Sequence, residues 1–356
     1  MTEAYINRVA TAVPPHDVHD AFLGFGRRML EGDARRLALF DRLAQKAQIA
    51  HRYSFLSPAR AGGAAVDAQG FYRFDDFPGT AARMRLFEEM APGLAAKAVE
   101  RLLPPEERGG ITHLIVTSCT GLSAPGIDLE LVFRCGLRPD IERSFVGFMG
   151  CYAAINALKL ARHIIRSEPG ARVLTVNVEL CTLHLHQTDN MEEMLSFLLF
   201  GDGCAAALIT AEPMGVQMQS FHAALVPRTA DLIRWHIREQ GFDMLLSGAV
   251  PGAIKGALEA ARGDILKGRD VRNIALWAVH PGGRTVLDAV EAAFGLAQGD
   301  LNASRGVLHD FGNMSSGTVM FVLERLMAQA DAGAPGCAMA FGPGLVAETM
   351  QFRMAA

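Results

Sequence analysis

The chain has 356 residues, half of them hydrophobic and a fifth charged, with a formal net charge of −4 at pH 7. A mildly acidic chain of this kind gives no basic footprint for a nucleic-acid partner. Charged or polar residues interrupt every apolar run before it could span a bilayer, and MTEAYINRVATAVPPHDVHD lacks the basic and apolar blocks of a secretion signal, so a cytoplasmic protein without a transmembrane segment is expected.

Taken in chain order, the first structural signal is the Gly- and Ala-rich stretch RAGGAAVDAQG (60–70), which reads as a mobile loop. A helical period covers 83–103, and an apolar strand, ITHLIVTSC, covers 111–119. Helical spacing returns over 151–165. Two buried strands follow, ARVLTVNVEL (171–180) and GCAAALIT (203–210). The pattern breaks at AEPMGVQMQSFH (211–222). It resumes with the strand NIALWAVH (273–280), helices over 285–296 and 315–330, and a weaker strand, CAMAFGPG (337–344). Strands alternating with helices predict an α/β fold with mixed or parallel sheets. Each half runs from an apolar strand through a Gly-marked turn into a buried helix. That echo predicts two similar units, 1–215 and 216–356.

Six cysteines, at 119, 135, 151, 181, 204 and 337, form no CxxC pair and no Cys/His ligand spacing. His184 and His186 alternate with leucines without a third ligand nearby, so no metal is expected. In a reducing compartment such cysteines are mostly small apolar core residues.

Three sites depart from that reading. In VGFMGCYAAINALKLARHII, Cys151 stands where a helix begins, so the helix dipole and unpaired N–H groups there favour a nucleophilic thiolate. Gly150 leaves room for a substrate at the sulfur. The plain alternative is core filler. In HPGGRTVLDAVEAAF, His280 ends a strand before a Gly-rich turn, a position where α/β proteins place active-site groups, although backbone hydrogen bonding alone would also account for it. In HDFGNMSSGTVMFVLERL, Asn313 follows the tight turn at Gly312; it reads either as a helix cap or as an N–H donor to an oxyanion. Gly342-Pro343-Gly344 adds a stiff loop fit to wall a pocket. Converged by folding, a cysteine with two hydrogen-bond donors suits thioester chemistry, in which the enolate of one acyl group attacks another.

GFMGC, the HPGG turn, FGNMSS and FGPG, with LLFGDGCAAAL (198–208) and VTSCTGLSAPGIDLEL (116–131), resemble the type III polyketide synthases, the chalcone synthase-like enzymes, over roughly residues 5–354. The resemblance implies a five-layered αβαβα thiolase fold, a homodimer, and acyl transfer from acyl-CoA and malonyl-CoA with no metal or organic cofactor. It implies Cys151 as acyl-bearing nucleophile, His280 and Asn313 as its partners, and Phe200 as gatekeeper between a coenzyme A tunnel and the cavity. Arg42 and Lys46, with Gly282 and Gly283, are implied coenzyme A contacts; the third basic position is Leu39. In the implied cycle, a starter moves to the thiolate of Cys151, paired with imidazolium His280. Malonyl-CoA then loses carbon dioxide, Claisen attack extends the chain, and a ring closes.

Several positions depart from the plant enzymes. Trp235 stands where chalcone synthase has a cavity glycine, Met244 replaces a second gatekeeping phenylalanine, and Cys119 replaces a cavity threonine; Ser315 is a further implied cavity residue. VGFMGC and ELCTLHL (179–185) are most similar to bacterial alkylresorcinol and alkylpyrone synthases, which implies a medium or long fatty acyl starter. A partner methyltransferase or hydroxylase acting on the product would leave no mark in this sequence. Alternatives are a short-starter or malonyl-only synthase, with Trp235 as a plug, and a ketoacyl-ACP synthase III-like enzyme. From another class comes an inactive acyl-CoA-binding assembly subunit. A thiolase proper is disfavoured because FGPG, not a CGGG-type motif, follows Cys337.

Overall fold

The computed structural model describes residues 2–59 and 65–355, with the side chains of all but 195–197. Of the stretch read as a mobile loop, residues 60–64 lie outside the described residues; beyond them, Asp67 bridges to Pro58 and Ala65 to Arg73.

The backbone is organised by a nine-stranded mixed sheet with a repeat built into its order. Its first half runs from the edge strand Glu142–Gly147 through His113–Ser118, Val173–Leu180 and Asp202–Thr210 to Tyr5–Ala12. The second half runs inward through Leu276–Val279, Pro335–Gly342 and Val346–Met354 to Val216–Leu225. His113–Ser118 pairs parallel with Val173–Leu180, and Leu276–Val279 pairs parallel with Pro335–Gly342. In both halves the next two pairings are antiparallel. The halves meet where Tyr5 and Ile6 pair with Gln217 and Val216. The second half's strand Val216–Leu225 begins inside 211–222, the stretch where the sequence pattern breaks.

Side-chain alternation sorts the layers. On Asp202–Thr210, Ala205, Ala207 and Ile209 face an inner core while Cys204, Ala206 and Leu208 face an outer one. On Pro335–Gly342, Ala338 and Ala340 face the same inner core, while Cys337, Met339 and Phe341 face a different outer one. The helices Ala153–Ser167 and Thr318–Met327 fill the inner core, and the alanines let them approach both sheet halves closely. Thr80–Leu102 covers the first outer face, and Val250–Leu266 and Arg284–Phe294 cover the second. The result is the five-layered αβαβα arrangement of the thiolase-like fold. Among the described residues, no helix is long and apolar enough to cross a membrane.

Candidate active site

The repeat places the chemistry. The two inner helices begin at the same end of the molecule, one preceded by the turn Gly150–Tyr152 and the other by Ser315–Gly317. The equivalent strands His113–Ser118 and Leu276–Val279 end there in Cys119 and His280. Cys119, Cys151, His280, Asn313 and Ser315 thus line one pocket, with about 950 Å³ of empty space including its mouth. Phe200, Trp235, Met244 and Gly282 line it too; Gly283, Arg42 and Lys46 do not.

Cys151 is held by a jigsaw of glycines. Gly150 has φ +74, and a Cβ there would stand 2.1 Å from Pro343 Cδ; a Cβ on Gly342 would stand 3.2 Å from the Cys151 nitrogen. Gly150 is therefore required by the proline of the FGPG loop and by its backbone, and it also lines the pocket beside Cys151. Gly150→Ala should cost about 1–2 kcal/mol from the left-handed backbone alone, plus displacement of the Pro343 ring. A lower melting temperature together with lost activity is the expected result; a variant unchanged in both would refute this packing.

Burial sets the electrostatics of the thiol. Cys151 Sγ donates to Ser315 Oγ at 3.7 Å. Burial pushes the thiol up to about 12, against the lowering effect of Ser315, and the Glu179 carboxylate adds to the rise. A helix dipole contributes on the order of 1 kcal/mol, under one pKa unit, whereas full burial shifts a group by up to about 3–5 units. Desolvation outweighs the helix dipole, so burial opposes the thiolate that the helix start favours. His280 is 1% exposed, and burial lowers it to about 3. Its backbone N–H donates to Met339 O at 2.8 Å, yet neither ring nitrogen has a hydrogen-bond partner among the described residues.

Asn313 makes the cap of its first sequence reading, and its amide geometry leaves room for the second. Its Oδ1 accepts from the Ser315 N–H at 2.9 Å, an Asx turn that starts the second inner helix. That bond fixes the amide orientation, leaving Nδ2 as donor, with Gly282 O at 3.4 Å. Asn313 is bridged to Phe200. Arg52, fully buried, donates to the Phe200 carbonyl at 3.2 Å, and burial lowers it to about 9. Gly312, at φ +69, packs on Arg52, where a Cβ would stand 2.8 Å from its Cγ.

The opposite wall is a hairpin. Ile233 pairs with Leu246 and Trp235 with Met244, so alternate positions of Ile233–Arg238 and Gly241–Leu246 present one apolar face to the pocket. Trp235 Nε1 donates to Cys119 O at 2.7 Å, and its indole meets His184 and Phe242 edge-on. His184 is itself committed: one ring nitrogen bonds Thr120 O at 2.7 Å, and the other accepts from the Phe242 N–H at 3.1 Å. It is a hairpin anchor.

Sequence reasoning missed the carboxylates beneath the pocket. Glu179 is fully buried and accepts from the Cys119 N–H at 2.9 Å, Thr120 Oγ1 at 2.8 Å and Ser316 Oγ at 2.5 Å, bracing one half of the fold to the other. Burial raises it. Asp202, pushed by burial to about 7, accepts from Thr182. The only sequence signal was a lone charge at the margin of an apolar strand, Glu179 near the end of one and Asp202 at the start of the next. Arg42 and Lys46 lie exposed, four residues apart on one side of the helix Ala34–Ala47, with Leu39 40% exposed nearby.

Fold and pocket define a thiolase-like protein with a buried thiol at the head of an inner helix. Its sequence matches the family models for the N-terminal domain of chalcone and stilbene synthases over residues 4–213 and for the C-terminal domain over 217–355. The chain belongs to this family, the type III polyketide synthases, and is an acyltransferase. It is 34% identical to bisdemethoxycurcumin synthase of Oryza sativa subsp. japonica over 373 residues, covering 98% of this chain and 91% of that protein. It is also 34% identical over 369 residues to the alpha-pyrone synthesis polyketide synthase-like Pks18 of Mycobacterium tuberculosis, covering 99% and 91%. The solved structure of CsyB complexed with CoA-SH superposes with a TM-score of 0.86 at 25% identity, covering 99% of this chain and all of that one.

Proposed function

We propose that the pocket performs iterative decarboxylative Claisen condensation, with Cys151 carrying an acyl group taken from acyl-CoA and malonyl-CoA supplying each extender. The observation that carries this reading is His280: a buried imidazole whose two nitrogens have no partner among the described residues, in the same cavity as a thiol and an oriented amide. Buried polar atoms are nearly always satisfied, so an unsatisfied one in a cavity points to a bound ligand atom. His280 and Asn313 Nδ2 donate to the oxygen of the thioester enolate as carbon dioxide leaves. Burial disfavours the thiolate or the imidazolium alone, so the nucleophile forms as their pair, by transfer of the thiol proton to His280. No metal or organic cofactor enters this cycle. Phe200 stands at the gate, with Arg42 and Lys46 outside it as contacts for coenzyme A phosphates; CsyB, of the same fold, binds CoA-SH.

The starter we propose is a medium or long fatty acyl group, and the product an alkylpyrone or alkylresorcinol. Ile233, Met244, Leu246, Val250, Ile254 and Val286 make the wall beyond the thiol aliphatic, which suits an alkyl chain. Pks18, by its name, belongs to alpha-pyrone synthesis. One observation favours the second reading, a short starter or malonyl-CoA alone: Trp235 is pinned to Cys119 and does not swing freely. Acetyl- to stearoyl-CoA offered singly with malonyl-CoA, with products read by mass spectrometry, distinguishes the two. Pyrones or resorcinols from long starters are the expected result. If only short starters react, and Trp235→Ala then admits long ones, the short-starter reading replaces the first.

A homodimer is part of the proposal. Phe145 and Leu122 are each about two-fifths exposed and flank Gly147 on an uncovered edge strand. An edge of this kind is normally covered or protected.

A further inference from the structure

We propose that Thr80, which lies outside the pocket, is a positioning residue that sets how long an acyl chain the pocket holds, by clamping the hairpin that carries Trp235 and Met244. The inference rests on the condensation reading above and adds to it a control point away from the reacting groups. The hairpin needs holding. Ile233–Arg238 and Gly241–Leu246 pair only with each other and take no place in the nine-stranded sheet. A two-stranded ribbon is marginal by itself, so its position is set by whatever grips it.

Its middle and base are held by the Trp235 bond to Cys119 O, by His184 at the Phe242 N–H, and by the Gly344 N–H, which donates to Ile233 O at 3.2 Å. Another grip takes the far end. Arg238 and Gly241 are register partners, the last pair before the turn. The Thr80 hydroxyl stands between them: it accepts from the Gly241 N–H at 2.7 Å and donates to the Arg238 carbonyl. The Thr80 N–H donates to Glu239 O, in the turn itself, at 2.8 Å. One helical turn on, fully buried Arg83 lies against Gly241, where φ is +107 and a Cβ would stand 2.8 Å from Arg83 Nε. Arg83 Nη1 donates to Leu183 O at 2.7 Å and Leu185 O at 2.8 Å, on either side of His184. The start of the helix Thr80–Leu102 thus grips both the hairpin end and the segment that anchors its middle.

The ordinary task of a threonine at a helix start is to cap the helix. Here Gly79 is the N-cap and no side-chain cap bond forms, so the hydroxyl serves the hairpin instead. The consequence falls on the pocket. Trp235 and Met244 stand three residues from the clamped pair, roughly 10 Å along the strands. Beyond Met244 and His184 lies a second cavity, with about 680 Å³ of empty space including its mouth. A hairpin released at its end has room to lean that way. Met244 lines both cavities, and such a lean draws it out of the acyl pocket. Held by Thr80, it stays as a wall that limits chain length.

The test sets Thr80→Val, which keeps the branched shape and loses the hydroxyl, against Thr80→Ser, which keeps the hydroxyl. Hydrogen exchange of the full chain reads the clamp. With two hydrogen bonds gone, the amides of Gly241–Leu246 should exchange about tenfold faster in Thr80→Val and at the wild-type rate in Thr80→Ser. Condensation rates with malonyl-CoA over the acetyl- to stearoyl-CoA series read the consequence. Relative to acetyl-CoA, the longest starter that the wild type accepts should react about threefold or more faster in Thr80→Val, and not in Thr80→Ser. Unchanged exchange overturns the clamp. An unchanged length profile, or an equal loss of rate at every length with a lower melting temperature, overturns the role in specificity and leaves Thr80 a stabilising residue. A wild type that gives no product from any starter refutes the condensation reading instead, and the exchange data separate that failure from failure of the clamp.

Discussion

Cys151→Ala is expected to abolish both polyketide product and the acyl adduct while leaving slow decarboxylation of malonyl-CoA in place. Without the sulfur there is no thioester for the enolate to attack, and none of the other cysteines stands at the head of the inner helix. Removing the nucleophile of a covalent enzyme costs on the order of 10⁶ in rate. Decarboxylation needs a donor to the enolate oxygen, and His280 and Asn313 remain in the pocket of the variant. Acetyl-CoA formed from malonyl-CoA, with no condensed product, is the signature to look for by mass spectrometry. If Cys151→Ala still extends a starter, another thiol carries the chain. Cys119 and Cys181 also line the pocket and would be the suspects. If decarboxylation disappears as well, the donors depend on the thiol for their placement.

Much of this site was legible because its residues stand at breaks in period. Cys151, His280 and Asn313 each follow a glycine turn or a strand end, and chain order alone marks such places. The inner strands were legible too, since burial on both faces leaves unbroken apolar runs such as those of Val173–Leu180 and Asp202–Thr210. The edge strand Glu142–Gly147 was not, because exposure removes its apolar signal. Val216–Leu225 alternates apolar with polar residues and looked like an interruption. Arg52, Glu179 and Asp202 were invisible for a different reason. A buried charge is tolerated through partners distant in sequence, and no local pattern records them. The raised thiol of Cys151 has the same origin: the helix start was read correctly, and the larger cost of burial was not visible in the sequence.

Asn313 allows the strongest separation of chemistry from structure, because one side chain does both jobs through different atoms. Its Oδ1 holds the Asx turn at Ser315, a residue in the left-handed region at φ 49. Its Nδ2 is the donor that the proposed mechanism offers to the enolate. Asn313→Ala should lose both functions. The missing oxyanion donor should lower condensation and decarboxylation by about 10²–10³, and the missing cap should cost about 0.5–2 kcal/mol of stability. Asn313→Ser keeps a short acceptor for the Ser315 N–H through an ST turn, but it has no amide to reach the substrate. It should therefore melt near the wild type yet turn over as slowly as Asn313→Ala. Steady-state rates for both half-reactions, set beside thermal melts of the two variants, check this directly. Recovery of the rate in Asn313→Ser would make the residue a positioning cap and leave His280 as the sole donor. Equal melting of all three proteins, with a rate lost in both variants, would instead make the amide purely catalytic and the turn self-supporting.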